Sequence, residues 1–102
     1  MEILAILKQL SQDKPQVVGA IQGLRQAVLK ECSLDAKTAN LVAIGIATAI
    51  RNQEALIGHI QLAKEAGATE DEVVGAILLA LPSSGVPSTL TALPQAWQAF
   101  KK

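Results

Sequence analysis

The chain has 102 residues, and its nine basic and nine acidic side chains give a formal net charge of zero at pH 7. Hydrophobic residues make up 50% of the sequence and aromatic residues only 2%, so the apolar content is mostly Ala, Leu, Ile and Val. The balanced charge, with no basic run beyond Lys101 and Lys102, argues against a nucleic-acid-binding surface.

The length predicts a single domain, residues 1–102. With its seven glycines the chain exceeds the apolar share of about 45–50% that is typical of soluble domains. This excess predicts assembly into a homo-oligomer. The apolar runs Leu41–Ile50 and Val73–Leu81 are too short for the roughly 20 residues of a membrane span. The single cysteine and the lack of a signal-peptide pattern favour a cytoplasmic setting.

The first two predicted helices are amphipathic. The first covers Met1 to Gln12, and Asp13 is then predicted to cap the second, with Pro15 in its first turn and Gln16 completing a capping box. Apolar residues follow helical spacing in both helices: Ile3, Ile6, Leu7 and Leu10, then Val17, Ile21, Leu24 and Val28.

The second helix is predicted to run to about Glu31. Gly19 and Gly23 lie inside it, and each costs about 1 kcal/mol relative to alanine, which predicts a close helix contact. A third helix, capped by Asp35, is predicted to run to about Ile50. It is apolar on nearly every side from Leu41 onward, which predicts the buried central helix of the domain or of an oligomer.

The second half of the chain predicts three more helices. A fourth spans about Gln53 to Ala66 and stops at Gly67. A fifth, with a capping box from Thr69 and Glu72, runs to Leu81 before Pro82. A loop, Ser83 to Gly85, then leads to a last helix that begins near Pro87 and contains Pro94. Its apolar seam is formed by Leu90, Leu93, Trp97 and Phe100. No alternating pattern predicts a strand, so the fold class is all-α.

His59, the single histidine, is the first candidate for chemistry. It shares a helix face with Asn52 and Ala55, at spacings of three and four residues. One interpretation is a core or interface imidazole satisfied by a carbonyl or hydroxyl group. The other is a general acid or base in a pocket. A metal site lacks a second histidine, a second cysteine and a carboxylate at matching helical spacing, so no metal or other cofactor is predicted.

Cys32 and the two aromatic residues have structural interpretations as well. Cys32 lies in a predicted connection and has no second cysteine with which to form an internal disulfide. Trp97 and Phe100 are interpreted as core or interface anchors.

Several segments together resemble one family. They are LDAKTANLVAIGIATAI, GHIQLAKEAGATEDEVVGAILLA and GVP, and they fall between Leu34 and Pro87. Their most specific features are His59, the Ala66–Thr69 turn and Gly85-x-Pro87. In these features the chain resembles the carboxymuconolactone decarboxylase and alkylhydroperoxidase D-like family. The resemblance implies a bundle of about six helices that assembles into homotrimers or hexamers.

The resemblance also implies positions for the reactive groups. In the peroxidase branch of the family a Cys-x-x-Cys pair precedes the histidine, and a glutamate in the preceding helix helps to relay protons. Counting back from His59, the cysteine positions hold Asn52 and Ala55, and the glutamate position holds Asn40. The decarboxylase branch lacks the cysteines too, but it has more charged groups around the histidine.

Three hypotheses follow. The first is a homo-oligomeric family member without peroxide chemistry, with a binding, structural or unassigned role. The second is a small-molecule lyase of the lactone decarboxylase type, in which His59 is the acid or base and Asn40 and Asn52 are hydrogen-bond donors in the pocket. The third is an accessory subunit that binds another protein through the seam around Trp97.

Overall fold

The computed structural model describes residues 3–102, and in this range the backbone forms helices and no strand. The all-α prediction is therefore confirmed. The predicted helix start at Met1 and the side chain of Ile3 lie outside what the structure describes. None of the helices in residues 3–102 is long and apolar enough to cross a membrane. The helices are α1 (Ile3–Asp13), α2 (Pro15–Glu31), α3 (Ala36–Ala49), α4 (Gln53–Glu65), α5 (Glu70–Leu78), α6 (Leu81–Ser84) and α7 (Val86–Ala99).

The chain forms two compact units, unit 1 (Met1–Leu34) and unit 2 (Asp35–Lys102). In unit 1, α1 and α2 pack against each other. The predicted stripe of α2 is exposed, with relative accessibilities of 42% to 67% at Ile21 and Leu24. A Cβ atom added to Gly19 or Gly23 would meet no atom of the chain within 4 Å. The close helix contact predicted at these glycines is therefore not made within the described residues.

The predicted cap at Asp13 is wrong. Asp13 is the last residue of α1, where its Oδ1 accepts a hydrogen bond of 3.2 Å from Gln9 Nε2. Lys14 is the N-cap of α2, and no side chain caps this helix. The physical reason is Pro15, which disfavours the helical conformation at the residue before it, so the interruption falls on Lys14.

The core of unit 2 is built from large aliphatic side chains surrounded by alanines. Its members include Ile44 of α3, Leu56 and Ile60 of α4, and Val73 and Ile77 of α5, none more than 1% exposed. Alanines of α4 and α7 fill the space between them, and this allows the helices to approach closely. The small side chains explain how a chain with two aromatic residues builds a dense core.

Helix α3 is central to unit 2, because it contacts α4, α5, α6 and α7. The prediction that it is buried on all sides is wrong for the chain by itself. Val42, Ile46 and Ile50 form an exposed ridge on its outer side, with relative accessibilities of 50%, 56% and 64%. The apolar residues around α3 therefore form two faces. One face packs in the core of unit 2, and the other is exposed in unit 2.

The predicted caps of the middle helices are confirmed. The Asp35 carboxylate accepts a hydrogen bond of 2.7 Å from Thr38 N–H at the start of α3. Thr69 and Glu72 form the reciprocal capping box of α5. Gly67 follows the end of α4 with φ +97°, in the left-handed region that a glycine adopts without a steric penalty. In the short connection between α3 and α4, Arg51 also has a positive φ, 58°.

The end of the chain differs from the prediction in two places. Helix α5 stops at Leu78, and part of the predicted loop forms the short helix α6, because Ser83 N–H and Ser84 N–H both donate to the Ala80 carbonyl. Only half of the predicted seam of α7 is covered. Leu93 and Phe100 pack against the core, whereas Leu90 and Trp97 are 59% and 52% exposed.

Acidification is expected to destabilise the native chain more than the variant Glu72→Gln. The pKa of Glu72 lies below its ordinary value of 4.5, because Thr69 N–H donates to the carboxylate and Lys37 Nζ lies 3.0 Å from it. The carboxylate therefore contributes stability above pH 4.5, and this contribution is lost as the pH falls through the lowered pKa. The melting temperature, measured at about pH 7 and about pH 3, should fall less in Glu72→Gln. An equal fall in melting temperature in the native chain and in Glu72→Gln would contradict the lowered pKa of Glu72.

Candidate functional site

The side chains of His59 and Asn40 are hydrogen-bonded to each other. Helix α3 carries Asn40 and α4 carries His59, and these two helices make the most extensive pairing in unit 2. The distance between His59 Nδ1 and Asn40 Oδ1 is 3.0 Å, and both residues are partly buried. The amide of Asn40 is itself held, because its Nδ2 donates to the Ala36 carbonyl at 2.9 Å.

This geometry suits the tautomer of His59 that carries its proton on Nδ1. An amide oxygen only accepts hydrogen bonds, so in that tautomer Nδ1 donates to Asn40 Oδ1. In the neutral imidazole the lone pair is then on Nε2, the nitrogen that can take or return a proton in catalysis. Asn40 therefore orients the ring by a hydrogen bond from an uncharged side chain.

Asn52 lies at the start of α4, two helical turns before His59. Its Oδ1 accepts a hydrogen bond of 3.1 Å from Ala55 N–H, and this makes Asn52 the N-cap of the helix. The residue predicted as a pocket position thus has a local structural role. The structure brings together Asn40 and His59, while the side-chain oxygen of Asn52 is engaged at the end of its own helix.

The variant Asn52→Ala is expected to lower the free energy of unfolding by about 1 kcal/mol, since it removes the N-cap of α4. Asn52→Asp is the matched control, because aspartate caps equally well and adds a negative charge at the positive end of the helix. Urea titrations at a fixed protein concentration measure both values. If Asn52→Asp were as unstable as Asn52→Ala, the capping role would be wrong.

Cys32 lies at the end of α2 in unit 1. Its Sγ is 3.5 Å from the Leu29 carbonyl oxygen and 3.9 Å from that of Leu34, so the thiol contacts the backbone close to it in sequence. In residues 3–102 no group of three or more His, Cys, Asp or Glu side chains is placed to hold a metal ion. Both of these contacts of the Cys32 thiol are made within unit 1.

An apolar groove lies on the opposite side of α3 from Asn40. We call it the α3–α5 groove, and it holds a volume of about 770 Å³. Asn40 and Val42 are two residues apart, about 200° around a helix, so the groove and the imidazole lie on different sides of α3. The residues that line it are Thr38, Leu41, Val42, Gly45, Ile46, Ala49, Glu72, Gly75, Ala76, Leu79, Ala80 and Ser83.

No pattern in the sequence predicted this groove. Gly45 and Gly75 could have indicated it, because they are small residues inside helices that are otherwise rich in large aliphatic side chains. A Cβ atom added to Gly45 would lie 3.4 Å from the Ala76 carbonyl oxygen, so α3 and α5 approach closely at this point. Helical periodicity identifies a glycine in a helix, but not the helix that packs against it.

Comparisons with known proteins agree with this fold. The family model described as "CMD: Carboxymuconolactone decarboxylase family" matches residues 15–98. The crystal structure of the apo form of a carboxymuconolactone decarboxylase family protein from Legionella pneumophila is similar, with a TM-score of 0.85 and 28% sequence identity. The match covers 96% of this chain and 87% of that chain. No curated protein matches the sequence significantly.

Proposed function

The chain belongs to the carboxymuconolactone decarboxylase family, and on this basis we propose that it is a homo-oligomeric member without alkylhydroperoxidase activity, with a binding or structural role. One observation carries the proposal. The first turn of α4 presents Asn52 at its N-cap and Ala55 three residues later, where the peroxidase branch has its two cysteines.

Peroxide reduction needs two thiol groups that these two positions of α4 lack. Reduction of a peroxide by a thiolate forms a sulfenic acid, and a second thiol must then resolve it to a disulfide. The amide of Asn52 and the methyl group of Ala55 can do neither. Cys32 is the single sulfur nucleophile of the chain, and it has no second thiol in the same copy.

A peroxide-consumption assay with a dithiol reductant tests the absence of this activity. The rate with the protein should equal the rate with the Cys32→Ser variant and with buffer alone. Turnover that is well above background in the native chain and lost in Cys32→Ser would overturn the proposal, since it would show that Cys32 works with a thiol from another copy.

Exposed apolar side chains support the proposed homo-oligomer. Large aliphatic residues of α2, α3 and α7, and Leu79 directly after α5, are 50% or more exposed, among them Leu24, Ile46 and Leu90. Large exposed apolar side chains in this number are typical of surfaces that bind other proteins. Light scattering should give a mass that is a multiple of 10.7 kDa, with a trimer or hexamer expected. A monomer at about 100 μM would contradict this part of the proposal.

A second function is favoured by the hydrogen bond between His59 and Asn40. An imidazole that is protonated on Nδ1 and held in one orientation is suited to act through Nε2 as a general acid or base. The substrate would be a small carbonyl or lactone compound, as in the decarboxylase branch. In the sequence, Lys64 is five residues and Arg51 eight residues from His59, and Lys64 Nζ is bonded to the Ala99 carbonyl, so an anionic substrate would find few cationic partners there.

The assay for this second function is release of carbon dioxide from carboxymuconolactone. His59→Gln should abolish it, whereas Asn40→Asp should retain it and shift its pH profile upward, because a carboxylate raises the pKa of a neighbouring imidazole. Equal rates in the native chain and His59→Gln would exclude His59 from the reaction.

A further inference from the structure

The α3–α5 groove and the ridge beside it form a surface with both a depression and projections. Small residues line the middle of the groove, including Gly45 and Ala76, where α3 and α5 approach closely. Val42, Ile46 and Ile50 project from α3 next to these small residues, and Leu79 projects from the end of α5 with 80% of its surface exposed. A surface that carries both shapes can pair with a second copy of itself.

The spacing of the projections fits helix packing. Val42, Ile46 and Ile50 follow one another at intervals of four residues, and such a row is the ridge that enters the groove of a neighbouring helix in the commonest class of helix contact. Residues 38–49 of α3 line the groove over about 17 Å, which is three helical turns. This length accommodates the same stretch of α3 from another copy.

The charges at the two ends of the groove favour one direction of pairing. At the beginning of α3 lie Asp35 and Glu72, with Lys37 bonded to Glu72 at 3.0 Å. At the other end, beyond α3, lies Arg51, which is exposed. If two copies packed with α3 antiparallel, the Arg51 guanidinium of each copy would reach this end of the other, where the carboxylates of Asp35 and Glu72 outnumber the ammonium group of Lys37. A parallel arrangement would bring two Arg51 side chains together.

We propose that a second copy of this chain occupies the α3–α5 groove across a two-fold axis, with the α3 helices antiparallel. The ridge of each copy enters the groove of the other along its small residues, and each Arg51 faces the other copy's Asp35 and Glu72. A two-fold contact requires such a self-complementary patch. The inference rests on the homo-oligomer proposed above, and it identifies one of the surfaces that the oligomer uses.

The substitution Ile46→Asp tests the contact, because it places a carboxylate in the middle of the apolar surface. Light scattering should show that the mass of the assembly falls, to half in a dimer or in a hexamer built from two trimers. Ile57→Asp on α4 is the matched control, because Ile57 is 50% exposed and Ile46 is 56% exposed. It should keep the native mass, and circular dichroism should show native helix content in both variants.

A second substitution tests the direction of the pairing. Arg51→Glu should weaken the association of the two halves about tenfold at low salt, and the difference from the native chain should shrink at about 1 M salt. Arg25→Glu, in unit 1, is the control and should leave the association constant unchanged.

The outcomes separate this inference from the proposed function. An assembly that keeps its native mass in Ile46→Asp, or one that is halved by Ile57→Asp as well, would overturn the α3–α5 contact and leave the homo-oligomer standing. A native chain that is monomeric would overturn both, and a native trimer would overturn the two-fold contact while leaving the homo-oligomer standing. An association that Arg51→Glu leaves unchanged or strengthens would overturn the antiparallel arrangement.

Discussion

Ile60→Ala is expected to lower the free energy of unfolding by about 2–5 kcal/mol. Ile60 is 1% exposed and belongs to the core that α4 shares with α3, α5 and α7. Its truncation removes buried apolar contacts and leaves a cavity that the surrounding alanines are too small to fill. A domain of this kind has a total stability of about 5–15 kcal/mol, so the loss is a large fraction of the whole.

Ile57→Ala is the control for this measurement. Ile57 lies three residues earlier on α4 and is 50% exposed, so its truncation should cost within about 0.5 kcal/mol. Both variants should be unfolded with urea at one protein concentration, because association contributes to the apparent stability. Similar losses in the two variants would mean that the core of unit 2 does not contain Ile60 in solution.

The double variant Asn52→Cys with Ala55→Cys is expected to gain a dithiol that oxidises reversibly. The N-cap and the third residue of a helix lie within one turn of each other, and the positive end of the helix dipole lowers the pKa of a thiol placed there. In a Cys32→Ser background, mass spectrometry should show the loss of two hydrogens on mild oxidation and their return with a dithiol reductant.

Peroxide turnover measures whether this pair is also active. With His59 retained on the following turns of α4, the double variant should consume peroxide in the presence of a dithiol reductant, while each single-cysteine variant should not. A double variant that forms its disulfide but consumes no peroxide would show that the chain lacks more than the two sulfur atoms. A double variant that forms no disulfide would show that the first turn of α4 holds the two positions too far apart.

Much of the fold could be predicted from local chemistry. Asp35 and the Thr69–Glu72 pair identified the starts of α3 and α5, and Gly67 identified the end of α4, because caps act between residues close in sequence. The same local reasoning failed at Asp13, where two neighbouring residues could take the N-cap position and the conformation imposed by Pro15 decided between them.

Less of the candidate site around His59 could be predicted from local sequence. The face that His59 occupies on α4 follows from helical spacing, but its pairing with Asn40 depends on how α3 crosses α4, and only the family resemblance indicated it. The exposure of Trp97 could not be predicted for the same reason, because it depends on which helices pack against each other. Periodicity predicts that an apolar seam packs against something, and it does not tell whether the partner belongs to the same chain.

The short connection at Arg51 has a consequence for how unit 2 folds. Helices α3 and α4 are close in sequence, so bringing them together costs little chain entropy, whereas α7 must close a much longer segment before it contacts either of them. We therefore expect the α3–α4 hairpin to form early on the folding pathway. His59 and Asn40 would then meet in the nascent hairpin, before the last helix completes the core.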